Sequence, residues 1–257
     1  MSDRRYVVTG SASGIGAATA TLLRDQGATV IGCDLDDADI VADLSTPAGR
    51  NSLVEQVARS GPIDAVLAVA GGGRTGLLET NYFGTVATLE GLRPMLARSA
   101  APRAVAVSST ASLAPADERI LQACADGDEA TATALLADDP ALHGSAYGIA
   151  KRALNGWVRR TAPTADWAGA GIPLNAVAPG VVDTPAAAWI LTDETVRQAI
   201  ASSAPQPLGF PGRPEWIGQL IGWLAGPENR FVTGQVIFAD GGAEATLIGD
   251  RHWRAAG

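Results

Sequence analysis

A chain of 257 residues that is 47% hydrophobic and 18% charged has the material for one large domain with a substantial core, and is too apolar for a disordered tail. Its net charge of -8 argues against nucleic acid as a partner, because phosphate binding needs a basic footprint. No apolar segment reaches the ~20 residues that span a bilayer, the start Met1-Ser2-Asp3-Arg4-Arg5-Tyr6 lacks the apolar stretch of an export signal, and Cys33 and Cys124 have no metal-ligand spacing, so the expectation is a cytoplasmic protein with reduced thiols, no membrane partner and no metal.

Strand and helix patterns alternate along the chain. Arg5 to Val8 reads as a short apolar strand and Gly14 to Gln26 as a helix. Thr29 to Cys33 is a second strand, ending at Asp34, with Cys33 as an inert small hydrophobe in the core. Thr46 to Ser60 is helical, with Ser45 or Thr46 as its cap. Ile63 to Ala70 is a near-continuous apolar run, the mark of a strand buried on both faces of a parallel sheet. Leu77 to Arg98 is mostly helical, and Arg103 to Val107 is another buried strand. Asp117 to Ala125 and Asp128 to Ala137 read as two helices separated by Gly127 and ended by Pro140, with Leu121, Leu135 and Leu136 as a small apolar face. Tyr147 to Thr161 is a helix, and Leu174 to Ala178 and Gln235 to Ala239 complete the strands. Trp216 and Trp223 fall at i and i+7 of a helix, the spacing of a core or subunit face. This rhythm predicts an α/β fold, a doubly wound parallel sheet with helices on both faces, in a single domain over 1–257 that carries a helical insertion at 113–142.

Thr9-Gly10-Ser11-Ala12-Ser13-Gly14-Ile15-Gly16 joins the first strand to the first helix, the context that gives a glycine motif meaning. Gly10 permits a tight turn, Gly14 lets backbone approach a pyrophosphate, and Gly16 lets the helix pack on the sheet. Free N–H groups at the helix start then face phosphates. Asp34, after the second strand, suits an adenosine ribose diol and would repel a 2′-phosphate, which favours NAD over NADP. The alternative is a solvated acid, since Asp36, Asp37 and Asp39 follow. Tyr147 and Lys151 are four apart on a helix, one turn apart on one face. A phenol titrates near ~10 in water. A neighbouring ammonium lowers that value and makes the pair a general acid/base for an alcohol proton.

With these motifs the chain resembles the short-chain dehydrogenase/reductase family over nearly its whole length. The resemblance rests on an ordered set: Thr9 to Gly16, Asp43-Leu44, Ala70-Gly71, Asn81, Ser108-Ser109, Tyr147 to Lys151, Asn175 to Gly180 and Asp240-Gly241-Gly242. It implies a Rossmann-like sheet of about seven parallel strands and reversible hydride transfer between a nicotinamide cofactor and an alcohol or carbonyl. Residue by residue, it implies that Tyr147 is the acid/base and that Lys151 lowers its pKa and binds the nicotinamide ribose. It implies that Ser109 hydrogen-bonds the substrate oxygen and that Asn81 holds a water behind the lysine. Ser108 stands as the alternative donor, and capping of backbone groups as the alternative for Asn81. It further implies that Asp43 reads the adenine amino group with Leu44 beside the ring, that Ala70 and Gly71 lie by the adenosine ribose, and that Pro179, Gly180, Val182 and Thr184 hold the carboxamide.

The departures are Val69 where the family often has asparagine, only nine residues between Gly71 and Asn81, and a Tyr147 that lies 38 positions after Ser109. The short connection would open one side of the cleft. The long one is the excess Leu113 to Leu142, which would cover substrate or alter a subunit interface. Together with Ala42 to Thr46, Asn81 to Gly84 and Val107 to Ser109, it is similar to the 3α-hydroxysteroid dehydrogenase/carbonyl reductase subgroup. That similarity implies a bulky apolar secondary alcohol or ketone as substrate and a homo-oligomer, a dimer before a tetramer, beside the NAD cofactor that Asp34 favours. Leu113 and Trp189 are the candidate substrate contacts, with Ile190 and Leu191 behind them; His143 is expected in solvent. A catalytically silent nucleotide sensor or scaffold is the alternative, and an enoyl reductase of similar fold is a further rival, its tyrosine and lysine being spaced more widely.

Overall fold

The structure is a computed structural model that describes residues 4–72 and 76–251. The first three of the residues read for an export signal, and the centre of the connection between Gly71 and Asn81, lie outside the described residues. The chain runs β1 (Arg5–Thr9), α1 (Gly14–Asp25), β2 (Thr29–Asp34), β3 (Ile40–Val41), α2 (Pro47–Ser60), β4 (Ala65–Ala68), a π-helical turn (Glu79–Gly84), α3 (Thr85–Leu96) and β5 (Arg103–Val107). A 3-10 turn (Thr110–Leu113), α4 (Glu118–Ala125), α5 (Glu129–Asp138), a second 3-10 turn (Pro140–Ser145), α6 (Ala146–Thr161) and β6 (Leu174–Pro179) follow. The remainder is α7 (Ala188–Leu191), α8 (Glu194–Ser203), α9 (Pro214–Ala225), β7 (Val236–Ala239) and α10 (Ala243–Ile248).

Seven strands form one parallel sheet in the order β3-β2-β1-β4-β5-β6-β7. The apolar runs explain the parallel pairing. Every residue of β4, β5 and β6 is buried, which requires helices on both faces. The order reverses at β1, which pairs with β2 on one side and β4 on the other. That reversal opens a crevice beyond the carboxyl ends of β1 and β4, the place where such sheets bind ligands.

Three elements differ from the sequence reading. The seventh strand, Ile40–Val41, is only two residues long and sits in an acidic stretch, so no alternation marks it. The apolar run to Ala70 leaves the ladder after Ala68, because the Thr9 hydroxyl accepts from the N–H groups of Val69 (3.1 Å) and Ala70 (3.0 Å). The long helix expected from Leu77 is broken by the π-helical turn that holds Asn81, a distortion often found at functional sites. Of the two candidate caps for α2, Thr46 is the one that accepts, from Gly49 N–H.

One face of the sheet packs against α2, α3 and α6, the other against α1 and α9. Helix α9 turns Ile217, Ile221 and Leu224 to α1 and leaves Trp216 and Trp223 exposed at 56% and 47%, so the core reading of that tryptophan pair is overturned. The insertion belongs to the first core. Asp117 caps α4 and Asp128 caps α5, each accepting from backbone N–H groups. Ile120, Cys124 and Ala132 are buried among the core residues of that face, with Leu121, Leu135 and Leu136 partly buried against them. The Tyr82 hydroxyl donates to the Cys124 carbonyl at 2.7 Å from inside the core, and burial pushes that phenol's pKa up. Among the described residues no helix is long and apolar enough to cross a membrane.

Tyr82→Phe removes this hydroxyl and leaves the Cys124 carbonyl with Gly127 N–H (3.1 Å) as its remaining donor. The loss is expected to be about 1 kcal/mol of stability, read as a lower urea midpoint at unchanged m-value. An unchanged midpoint would show that the tie between the π-turn and the insertion adds nothing net.

Candidate active site

The glycine loop leaves β1 at Thr9 and turns at Gly10, whose φ of +69° suits glycine. A Cβ on Gly16 would run into the Gly10 carbonyl, so α1 can start this close to β1 only without one. Ser13 is the N-cap of α1 but its hydroxyl caps nothing, so the first N–H groups of the helix keep their capacity to bind an anion. Ile15 packs against the second core and anchors that first turn. Thr184 faces this loop: its methyl would be 3.0 Å from a Cβ on Gly14.

At the end of β2, Asp34 is fixed by two backbone donors. Its Oδ2 accepts from Ala12 N–H at 2.9 Å and its Oδ1 from Leu35 N–H at 2.8 Å. It is therefore tied to the glycine loop, unlike the exposed Asp36 and Asp37 that follow it. Asp43 is exposed, and its Oδ1 accepts from both the N–H (2.9 Å) and the hydroxyl (2.7 Å) of Ser45. These bonds hold its carboxyl below the usual range. Leu44 is buried beneath it and Ala70 is partly buried.

Across the switch point, Gly71 lies between two side chains. A Cβ there would be 2.7 Å from Asn81 Oδ1 and 3.1 Å from Lys151 Nζ. Asn81 is fully buried and bonds backbone on every side: its Nδ2 donates to Gly72 O (3.1 Å) and Leu77 O (3.0 Å), and its Oδ1 accepts from Gly72 N–H (2.8 Å). It thus fills the capping alternative, and by doing so it fixes the strand exit beside Lys151.

Lys151 Nζ donates to the Val107 carbonyl at 2.8 Å and lies 5.6 Å from the centre of the Tyr147 ring. Its side chain is 1% exposed, and burial lowers its pKa to about 7. Burial also raises the Tyr147 pKa, while a hydrogen bond with Ser109 works the other way. The phenol therefore lies above its ordinary value, not below it as the neighbouring lysine led the sequence reading to expect. The two serines divide cleanly. Ser108 is buried and its hydroxyl donates to the Lys151 carbonyl (3.4 Å), whereas the Ser109 hydroxyl meets Tyr147 and accepts from Ala111 N–H (3.1 Å).

Other residues come into view only in the structure. Ser112 donates to the Ser109 carbonyl at 2.6 Å, and Asn155 Nδ2 donates to Ser112 Oγ at 2.9 Å. Tyr147, Lys151 and Asn155 recur every four residues along α6, a spacing that could have marked the third member. Gln206 is a second surprise. It accepts from Val181 N–H and its side chain crowds Gly180. The Thr110 hydroxyl donates to the Pro179 carbonyl (3.3 Å), and Val182 is buried and bridged to Gly212. The segment therefore reaches across to the glycine loop at Thr184 and to Gly72, where a Cβ would be 3.1 Å from Ala186.

The candidate substrate contacts are less constrained. Leu113 is partly buried at the end of the 3-10 turn after Ser109, and Trp189 is 53% exposed on α7, with Ile190 and Leu191 partly buried. His143 is exposed. Cys33 and Cys124 are buried, and burial pushes each thiol up to about 12, which keeps them inert.

The family model described as enoyl-(acyl carrier protein) reductase, of the short-chain alcohol dehydrogenase type, matches residues 10–244. A 3-alpha-hydroxysteroid dehydrogenase/carbonyl reductase from Comamonas testosteroni is 35% identical over 94% of this chain and 96% of its own length. A cis-4-hydroxycyclohexanecarboxylate dehydrogenase from Sinomonas cyclohexanicum is 34% identical over 95% of this chain and 97% of its own. Among solved structures, the 3-alpha-hydroxysteroid dehydrogenase from Pseudomonas sp. B-0831 complexed with NADH is 40% identical, with a TM-score of 0.87 over 95% of this chain and 98% of that one.

A lysine with a depressed folded pKa binds fewer protons folded than unfolded from about pH 7 up to its ordinary value of 10.5. Its burial therefore costs stability fully below that window, and the cost fades as pH rises through it. Lys151→Met is expected to melt higher than the parent at pH 7, with the gap closing towards pH 10.5. A gap that stays constant with pH in thermal melts would place Lys151 in a better solvated setting.

Proposed function

The chain belongs to the short-chain dehydrogenase/reductase family, and from that premise we propose that it transfers hydride reversibly between NAD(H) and a bulky apolar secondary alcohol or ketone of hydroxysteroid, terpene or aryl type. That it is an oxidoreductase follows from the family and its full-length relatives. The observation that carries the finer reading is the meeting of the Ser109 hydroxyl, the Tyr147 phenol and the Lys151 ammonium beside Gly71.

The residues fit a nicotinamide dinucleotide. Gly10, Gly14 and Gly16 form a cradle that a Cβ would fill or strain, the open N–H groups of α1 suit the pyrophosphate, and Asp34 suits a ribose diol. Asp43, Leu44, Ala70 and Gly71 border the adenosine end, and Pro179, Gly180, Val182 and Thr184 the nicotinamide end. When bound, NAD⁺ supplies the acceptor for hydride. The chain's own part is proton handling. Ser109 and Tyr147 both hydrogen-bond the alcohol oxygen, and Tyr147, as the phenolate, takes its proton and becomes the phenol as the carbon is oxidised. A phenolate forming beside Lys151 pulls the lysine towards its charged form, so the ammonium is strongest when the phenolate needs it. In ketone reduction Tyr147 returns the proton. A carboxylate at the ribose position, held by Ala12 and Leu35 N–H groups, favours NAD over NADP, because a 2′-phosphate would meet like charge. The same resemblance supports a cytoplasmic homo-oligomer, a dimer before a tetramer.

The deciding test follows NADH and NADPH oxidation with steroid, terpene and aryl ketones, and with enoyl thioesters in parallel. Ketone turnover with NADH well above NADPH is expected; turnover of enoyl thioesters alone would move the reading to an enoyl reductase, and NADH binding without turnover to a sensor. Tyr147→Phe should lose about a hundredfold or more in kcat while NADH titrations remain unchanged. Near-normal turnover would dismiss Tyr147 as the acid/base. Asp34→Ser should erode the preference for NADH over NADPH on the order of tenfold, the worth of one hydrogen bond to a charged group. An unaltered ratio of kcat/KM values would remove Asp34 from cofactor choice.

A further inference from the structure

Arg50, on α2, has a side chain only 9% exposed, and its guanidinium collects five contacts. Nε donates to the Leu44 carbonyl (2.8 Å), and Nη2 donates to the carbonyls of Ser45 (3.0 Å) and Glu79 (2.9 Å). The Glu129 carboxylate takes the two ends of the fork, Oε2 from Nη1 at 2.6 Å and Oε1 from Nη2 at 2.7 Å. This bidentate match is the strongest form of such a pair. Three pieces of chain therefore meet on one cation: the turn at Leu44-Ser45, the start of the π-turn that carries Asn81, and the first residue of α5 in the insertion.

The turn has little other room. A Cβ on Gly84, at the end of the π-turn, would be 2.7 Å from the Leu44 carbonyl, and one on Gly49 would run into the Asp43 carbonyl. Asp43 in turn is held by Ser45, whose carbonyl Arg50 binds. Glu129 stands in the first turn of α5, where the helix dipole favours its charge. Without that charge, Arg50 would remain buried among three carbonyls with no carboxylate bonded to it.

We propose that Glu129 is a positioning residue for the cofactor: through Arg50 it holds the Asp43-Leu44 turn, so the insertion sets affinity at the adenine end. This rests on reading Asp43 and Leu44 as the adenine contacts. It assigns the insertion a task in cofactor binding that is separate from covering substrate or shaping a subunit interface.

The test titrates NADH and AMP into the full-length protein, with Glu129→Gln, Glu129→Asp, Asp43→Ala and, as a control at an exposed position of α4, Glu118→Gln. Glu129→Gln is expected to weaken NADH and AMP by the same factor, on the order of tenfold, with kcat at saturating NADH and oligomeric state unchanged. Glu129→Asp, which keeps the charge at shorter reach, should recover part of the loss, and Glu118→Gln should match the parent. A Glu129→Gln protein that melts earlier but binds both ligands as the parent does would overturn the proposal and leave the ion pair a purely structural role. So would weakened NADH with unchanged AMP. If Glu129→Gln fails to fold, Glu129→Asp carries the same comparison on a milder scale. If instead Asp43→Ala leaves AMP affinity untouched, the adenine assignment falls, whatever the Glu129 variants do.

Discussion

An ammonium group is buried between β5 and α6, and the neighbourhood is arranged around that fact. Lys151 has a carbonyl from Val107 as its protein acceptor and is 1% exposed. A charge in such a place is costly, and the surroundings show how the cost is contained. The strand exit at Gly71 has no side chain to compete with Nζ, and Asn81 spends its amide on backbone so that this exit cannot move. The Ser108 hydroxyl closes the helix side by bonding the Lys151 carbonyl. In the proposed reaction the charge has its counterpart whenever Tyr147 is the phenolate, before proton transfer in alcohol oxidation and after it in ketone reduction.

The sheet places this chemistry without taking part in it. Reversal of strand order at β1 leaves a crevice flanked by the glycine loop and the Gly71 exit, and Thr9 bonds across it to Val69 and Ala70. Those two bonds hold the chain at Val69 by its backbone, whatever side chain stands there. Asp34, bonded to Ala12, closes the other side of the loop. The insertion then braces the outer edge, by Tyr82 to Cys124 and by Arg50 to Glu129.

Much of this was legible in the residues because the signals were local. Continuous apolar runs gave β4, β5 and β6, the glycine spacing gave the first turn, and the four-residue step gave the Tyr147–Lys151 face. What escaped shares a different property. The two-residue strand at Ile40–Val41 exists only because β2 is beside it. The π-turn widens a helix whose sequence is unremarkable for a regular one. Arg50, Gln206 and Asn155 act across 79, 25 and 43 positions of chain, and no periodicity records a contact of that range. The direction of the Tyr147 shift was missed for a related reason: desolvation is a property of everything packed around a group, whereas the ammonium four residues away is visible in the sequence.

The manner in which the Pro179–Leu191 stretch is fastened has a bearing on how this protein changes over generations. The proton machinery is embedded in a strand, a helix and a shared core, where almost any replacement disturbs packing. The stretch that crosses the glycine loop is held mainly at its root, by Gln206, Gly212 and Thr110, and beyond Thr184 its residues are largely exposed or half-buried. Drift can therefore accumulate in that stretch with little loss of fold. On the proposed reading, in which this rim meets substrate, a lineage built on this scaffold can vary one side of the cleft while the opposite wall stays fixed.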